Sequence, residues 1–246
     1  MRFYLGTHMP HWLRTSEVPL FVSHRRLDRY AKACPRAVCS WALDSGGFTE
    51  LSMFGEWRTT PEQYVEACRR YVDEVGPMDW AAPMDWMCEP FMIAKTGLTI
   101  DEHQKRTTEN FHQLVELAPD VPFVPVLQGW EIDSYLAHVD LYTAEGVDLT
   151  RFATVGVGSV CRRQSTEEIT EIFASLAGLG LHLHGFGVKG GGLARYAQHL
   201  TSADSMAWSR RGRNIRPCPH TGASSCGNCQ PHALAWRRRL IRRANR

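Results

Sequence analysis

The sequence predicts a closed (β/α)8 TIM barrel, eight parallel strands each followed by a helix, and three observations carry the prediction. Short apolar runs alternate with stretches of helical periodicity along the chain, the rhythm of βα units. The runs number eight, the strand count of that barrel. The length, 246 residues, matches the roughly 250 typical of one such domain. A doubly wound open sheet is the alternative, because losing one strand breaks the closure.

Taken in order, RFYLGT (2–7) and LFVS (20–23) are the first two apolar runs, and a helical stretch near 25–33 follows. SWALDS (40–45) is the third. TTPEQYVEACRRYVDEV then starts a helix over 61–75: Thr60 can cap, Pro61 occupies the first helical position where its missing N–H costs nothing, and Glu62 faces the helix dipole. DWAAPMD (79–85) and PFVPVLQG (122–129) are the fourth and fifth strands, with a helix over 101–118 between them. FATVGVGS (152–159), LHLHGFGV (181–188) and SADSMAW (202–208) complete the set, separated by helices over 131–145, 166–178 and 191–200.

Composition sets outer bounds. Hydrophobic residues make up 43% and charged residues 22%, with no Pro/Gly-rich linker, so one soluble globular domain is expected. No window approaches the roughly 18 uninterrupted apolar residues of a membrane span, and MRFYLGTHMPHW carries no signal-peptide apolar segment, which predicts a cytoplasmic protein. Cys34, Cys39, Cys68, Cys88 and Cys161 are scattered and read as buried hydrophobes or free thiols.

The net charge of +2 hides an asymmetry. Residues 205–246 hold ten of the 28 Lys+Arg, all of them arginine, and no Asp or Glu; residues 1–204 carry 18 basic against 26 acidic groups. A basic tail on an acidic body fits a polyanion docked at one end, and arginine is the better bidentate phosphate ligand. Arg210, Arg213, Arg238, Arg239 and Arg242 are therefore candidate nucleic-acid contacts. A solvated arginine-rich helix end is the plainer alternative. Residues 1–210 are expected to form the catalytic barrel, with 211–246 an arginine-rich segment integral to the same domain.

In such a barrel the chemistry sits at the C-terminal ends of the strands. Those ends read Asp44-Ser45-Gly46-Gly47, Met84-Asp85, Gln128-Gly129, Gly156-Val157-Gly158, Gly185-Phe186-Gly187 and Asp204-Ser205. Glycines let a flat ligand approach the backbone. Asp44, Asp85 and Asp204 would converge on one rim, and carboxylates brought together acquire different pKa values and different tasks. One can act as nucleophile while another handles protons, as in retaining glycosyl transfer. Each aspartate taken alone could simply cap the next helix.

LDSGGF (43–48), VLQG (126–129), VGVGS (155–159), HGFGV (184–188) and DSMAWSRRGR (204–213) resemble, in the same order and over most of the chain, the motifs of the tRNA-guanine transglycosylases. The chain is shorter than those enzymes, has Thr49 where glutamine is common and Trp208-Ser209 in place of a proline-threonine pair, and is more similar to the short deazapurine DNA modification proteins, DpdA-like relatives. The resemblance implies a TIM barrel that excises guanine from a polynucleotide, DNA in preference to tRNA, and inserts a 7-deazaguanine such as 7-cyano-7-deazaguanine. It matches Asp204 to the nucleophile that forms a covalent sugar ester and Asp44 to the general acid/base. Asp85 and Gln128 match groups that hydrogen-bond the base, and Phe48 an aromatic that stacks on it. Gly156, Val157 and Gly158 match backbone that reads its edge, and Gly129 a further base-binding position.

CPHTGASSCGNCQPH (218–232) is a second cluster. Cys218, Cys226 and Cys229 are spaced for structural zinc, which takes four sulfur or nitrogen ligands, and the resemblance implies a zinc here too. His220 is favoured as the fourth ligand because Cys218-x-His220 can clamp from one loop, with His232 the alternative. Lys189-Gly190-Gly191-Gly192 falls where barrels bind phosphate or is a plain loop. His8 and His11 follow the first strand and Trp80 and Trp86 read as packing residues. Two rivals remain: a non-catalytic zinc nucleic-acid-binding module, which leaves Asp44, Asp85 and Gln128 unexplained, and a barrel glycosidase, which leaves the arginines unexplained.

Overall fold

A computed structural model of the chain, describing residues 1–161, 163, 167–188 and 190–244, is built on a seven-stranded parallel sheet. The strands are β1 (Arg2–Thr7), β2 (Leu20–Ser23), β3 (Trp41–Asp44), β4 (Val126–Leu127), β5 (Val155–Val157), β6 (Leu183–Gly185) and β7 (Ser202–Ser205), in the order β3-β2-β1-β7-β6-β5-β4. The first and last strands pair at the centre, with Tyr4 opposite Asp204.

The expected strand over 79–85 is replaced by isolated bridges. Ala81 bridges Leu43 of edge strand β3 on one side and Phe123, just before edge strand β4, on the other. Pro83 has no N–H to give, and beyond it the backbone donors go to side chains instead of a neighbouring strand. Met84 N–H donates to Asn110 Oδ1 (3.0 Å), Trp86 N–H to Thr107 Oγ1 (2.9 Å) and Cys88 N–H to Ser159 Oγ (2.7 Å). Asp85 therefore lies on a buried loop.

The sheet curls. His184 on β6 has its ring 4.6 Å from that of Trp80 and 5.9 Å from that of Phe21 on β2, contacts no flat sheet in this strand order permits. Strand alternation explains which side chains are inside. Tyr4, Phe21, Ala42, Trp80, Ala82 and Val124 form one small cluster with Phe186. Their neighbours Phe3, Leu5, Leu20, Val22, Trp41, Leu43, Ala81 and Phe123 belong to the large core under the helices.

Ten α-helices are present among the described residues: α1 (His24–Leu27), α2 (Gly47–Phe54), α3 (Pro61–Glu74), α4 (Pro90–Thr96), α5 (Ile100–Leu117), α6 (Ile132–Ala144), α7 (Glu167–Gly178), α8 (Gly190–Tyr196), α9 (Ala207–Gly212) and α10 (Gln230–Ala244); α2 and α4 bury Leu51 and Met92 in a separate cluster with Trp86 and Met87, and the others contribute to the large core. α3 begins as read, with Thr60 and Gln63 forming a reciprocal capping box. The helix expected over 25–33 stops at Leu27, and the backbone beyond it is tied to α3, where Arg70 Nη2 donates to Tyr30 O (2.6 Å) and Lys32 O (2.8 Å). SADSMAW is strand only to Ser205; Trp208 turns inward on α9 and donates its indole N–H to Gly6 O at 2.8 Å. The segment expected over 191–200 is α8 followed by a 3-10 turn at Ala197–His199. Thr166, the expected start of α7, and Lys189 lie outside the described residues.

Candidate active site and metal centre

The inward-facing residues at the C-terminal ends of the strands open into a cavity of about 600 Å³. Asp44, Asp85, Gln128, Gly158, Phe48 and Asp204 all line it. Asp44 ends β3, and its Oδ1 accepts from Gly46 N–H at 3.2 Å. Gly46 has φ +83°, and a Cβ there would stand 2.7 Å from Arg25 Cγ, so glycine lets the chain turn under that arginine and present Asp44 to the cavity. Arg25 itself is spent in an ion pair with buried Glu50. Burial raises the Asp44 pKa above the usual carboxylate value; Gly46 N–H and the Ser23 hydroxyl oppose the rise, and the negative charge of Asp204 adds to it.

Asp204 is buried on β7, where Gly187 N–H donates to its Oδ1 at 2.8 Å. The Nε2 of buried His184 stands 3.4 Å from the same oxygen, and the other ring nitrogen is 2.8 Å from Ser202 Oγ. Asp85 is held from below by Gln128 Nε2, while Ser45 Oγ lies 3.5 Å from its Oδ1. Burial first, and then the Asp44 charge, push its pKa up to about 7 against the pull of its own backbone N–H and Gln128.

Gln128 is fixed at both ends. Ser159 Oγ donates to Gln128 Oε1 at 2.7 Å, and a Cβ on Gly158 would lie 2.2 Å from Gln128 Nε2, so only glycine leaves that amide room. Ser159 also lies 3.1 Å from Oε2 of buried Glu89 and is itself held in the left-handed region at φ +57°. A non-glycine residue at positive φ, inside a buried polar network, is where strain is kept for function.

Three expected base contacts do not line the cavity. Val157 and Gly129 have the wrong strand parity: Val157 packs in the large core, and a Cβ on Gly129 would meet Ser134 and Tyr135 of α6 at 2.7 and 2.9 Å. Gly156 has the right parity but lies one layer lower, under the ring of Phe186. Several cavity-lining or supporting residues were not singled out from the sequence. His184 follows from strand parity; Ser159 shares the parity of Val157 and lines the cavity beyond the end of β5, at φ +57°, and nothing periodic marks Glu89. Arg26 and Arg29 line the mouth and were hidden inside the stretch read as helix. Neither has a carboxylate partner among the described residues. Phe48, Met53 and Met206 are exposed apolar residues on the same rim.

His8 also lines the cavity, stacked on Trp208 with ring centroids 5.8 Å apart and 2.7 Å from Asn228 Oδ1, while His11 is exposed. Trp80 and Trp86 are buried packing residues.

The sulfur cluster assembles as one site. The ligand atoms of Cys218, His220, Cys226 and Cys229 lie within 4.8 Å of one another. His220 Nδ1 stands 3.8, 3.7 and 3.5 Å from the three sulfurs. A tetrahedron with zinc–sulfur and zinc–nitrogen bonds of about 2.3 and 2.0 Å has edges of about 3.5–3.8 Å; the three nitrogen–sulfur distances match it, the Cys218 and Cys226 sulfurs are closer at 2.9 Å, and the donor set could hold a metal such as zinc. His232 stays outside the set, buried against α9. The site is tied to the cavity wall by Ser209 Oγ, which donates to Gly227 O at 2.8 Å, and by the His8–Asn228 contact.

The arginines expected to touch nucleic acid, Arg210, Arg213, Arg238, Arg239 and Arg242, are all exposed on α9, α10 or the turn after α9, outside the cavity. Arg237 is not among them: its guanidinium donates to Phe3 O at 2.8 Å. No described helix is long and apolar enough to cross a membrane. No curated protein matches the chain. A family model described as DpdA, DeoxyPurine in DNA protein A, matches residues 1–246.

Proposed function

Because the chain belongs to the DpdA family, DeoxyPurine in DNA protein A, which implies a part in deazapurine modification of DNA, we propose that it is a guanine transglycosylase inserting a 7-deazaguanine into DNA. One observation carries the reading: Asp44, Asp85 and Asp204 reach a single cavity from three distant parts of the chain. Seven strands with the 79–82 segment between their edges support a (β/α)8 barrel as the scaffold, with 1–210 catalytic and 211–246 integral to it.

The Asp204 carboxylate attacks C1′ of an extruded deoxyguanosine; a C1′–O bond forms as the C1′–N9 bond breaks. Protonated Asp44 gives its proton to the departing guanine. The incoming 7-deazaguanine then returns a proton to Asp44, its N9 attacks C1′, and the ester opens to regenerate Asp204. His184 and Gly187 N–H orient the attacking carboxylate. Gln128 and Asp85, the latter able to present either a donor or an acceptor near neutral pH, hydrogen-bond the base edge beside the Gly158 backbone, and Phe48 covers its face. Arg26 and Arg29 hold the phosphates at the mouth, and Arg210, Arg213, Arg238, Arg239 and Arg242 supply a wider basic surface. Cys218, His220, Cys226 and Cys229 hold a structural zinc, which braces α9 behind Asp204 and takes no part in the chemistry.

Incubation with a radiolabelled 7-deazaguanine and either DNA or tRNA tests the proposal. Label entering DNA supports it; label entering only tRNA reassigns the substrate, and label entering neither removes the activity.

A further inference from the structure

α10 packs against both α8 and α9, and the three helices together carry eight arginines and no Asp or Glu. Their junction forms a second, separate concavity of about 50 Å³, walled by Arg211, Arg239 and Arg243 over a floor of Trp236 and Leu240. The floor is rigid: Trp236 is buried against Phe3, with ring centroids 6.2 Å apart, and a Cβ on Gly190 would come 3.0 Å from Leu240 Cδ1. Among the described residues none of the three arginines is paired with a carboxylate. Three guanidinium groups around so small a space repel one another unless an anion sits between them.

We propose that Arg211, Arg239 and Arg243 form a phosphate site that takes one backbone phosphodiester of the polynucleotide next to the nucleotide held in the cavity. The inference rests on the reading of the substrate as DNA. α9 connects the two places. Asp204 and Met206 line the cavity, α9 starts at Ala207, and Arg211 stands about 6 Å of helix rise farther on. A strand leaving the cavity over α9 therefore meets Arg211 within one or two nucleotides. Arg239 and Arg243, one turn apart on α10, close on the same phosphate as a fork. Arg238 and Arg242 form the neighbouring stripe of α10 and do not line the concavity. The basic tail thus contains one built site within a broader charged surface.

Two double substitutions of equal charge separate the site from that surface: Arg239→Gln with Arg243→Gln, and Arg238→Gln with Arg242→Gln. Binding of the full chain to a guanine-containing DNA duplex is followed by fluorescence anisotropy over a range of salt, with thermal melting to confirm folding. The first pair is expected to weaken binding about tenfold or more and to flatten the slope of log K against log salt by about 0.9, the value for one lost phosphate contact. The second pair is expected to flatten it by less than half as much. Equal effects from the two pairs would overturn the proposal in favour of a diffuse positive surface. Titration with inorganic phosphate tests the other source of the same chemistry. Tight phosphate binding that depends on Arg239 and Arg243, with an unaltered DNA slope, would make this a free-anion site and also overturn the proposal. Base exchange by the wild-type chain is measured separately, so a failed exchange counts against the catalytic reading while the binding contrast still decides this one.

Discussion

Replacing Asp85 with asparagine should make the protein more stable at neutral and alkaline pH while damaging its chemistry. Asp85 is buried, and its pKa is pushed from 3.8 up to about 7, chiefly by burial and then by the Asp44 charge. A carboxyl group whose folded pKa lies above its unfolded value binds more protons in the folded state between those two limits, so it costs stability as pH rises through them. The cost is absent below about pH 4 and complete above about pH 7. At about 1.36 kcal/mol per pH unit the full interval amounts to about 4 kcal/mol; because Asp44 shares the effect, a measured difference of about 2–4 kcal/mol is expected. Asparagine keeps the shape, and its carbonyl can still accept from Gln128 Nε2 while its amide donates to Ser45 Oγ. The assay is urea unfolding of both proteins at intervals from pH 4 to pH 8.5. The asparagine variant should gain on the wild type across this range, and the difference should level off above pH 7. Parallel stability curves would refute the reasoning and show that Asp85 stays ionised throughout.

Three further outcomes follow from the same geometry. Asp44→Asn should bind DNA normally yet lose at least about 10³-fold in base exchange, because an amide cannot pass a proton; in the wild type, exchange should decline with rising pH as the raised pKa of Asp44 is crossed, and a pH-independent rate would contradict its acid role. Arg26→Ala with Arg29→Ala should raise KM for DNA by about tenfold with a smaller fall in kcat, measured by steady-state exchange, whereas an unchanged KM would move the phosphates elsewhere. Cys226→Ala should release bound zinc, detectable by elemental analysis, and cost several kcal/mol in unfolding measurements, since a structural site contributes folding free energy; full zinc content would remove Cys226 from the ligand set.

Much of the scaffold was legible because strand alternation and helix starts are local. Thr60-Pro61 begins α3 as its chemistry requires, and Asp44, Gln128, Gly158 and Asp204 share the inward parity that brings them to one cavity. What escaped was set by tertiary partners. Residues 79–85 look like a strand, yet Pro83 and the side chains of Asn110, Thr107 and Ser159 hand the backbone to a loop. The 25–33 stretch looks helical, yet it leaves the helix after Leu27, Arg70, distant in sequence, ties down its backbone at Tyr30 and Lys32, and Arg26 and Arg29 line the mouth. Gly129 and Val157 were assigned to the base through motif position; strand parity turns the Val157 side chain into the large core and the Gly129 Cα towards α6. Glu89 has no signature at all; it becomes visible only once Ser159 and Gln128 are seen beside it. The cysteine spacing was the most local signal; His220 was favoured and His232 kept as the alternative, and the cluster that could hold a metal contains His220.

The central claim is that Asp204 forms a covalent bond to the sugar. Wild-type protein and Asp204→Asn are incubated with a guanine-containing DNA oligonucleotide without any incoming base, quenched in acid and resolved on a denaturing gel, and the shifted band is mapped by peptide mass spectrometry. The account predicts a protein–DNA adduct in the wild type whose modified peptide carries the sugar on Asp204, its disappearance when a 7-deazaguanine is added, and none in the variant. An adduct of equal yield in Asp204→Asn, or one mapped to another residue, would contradict it.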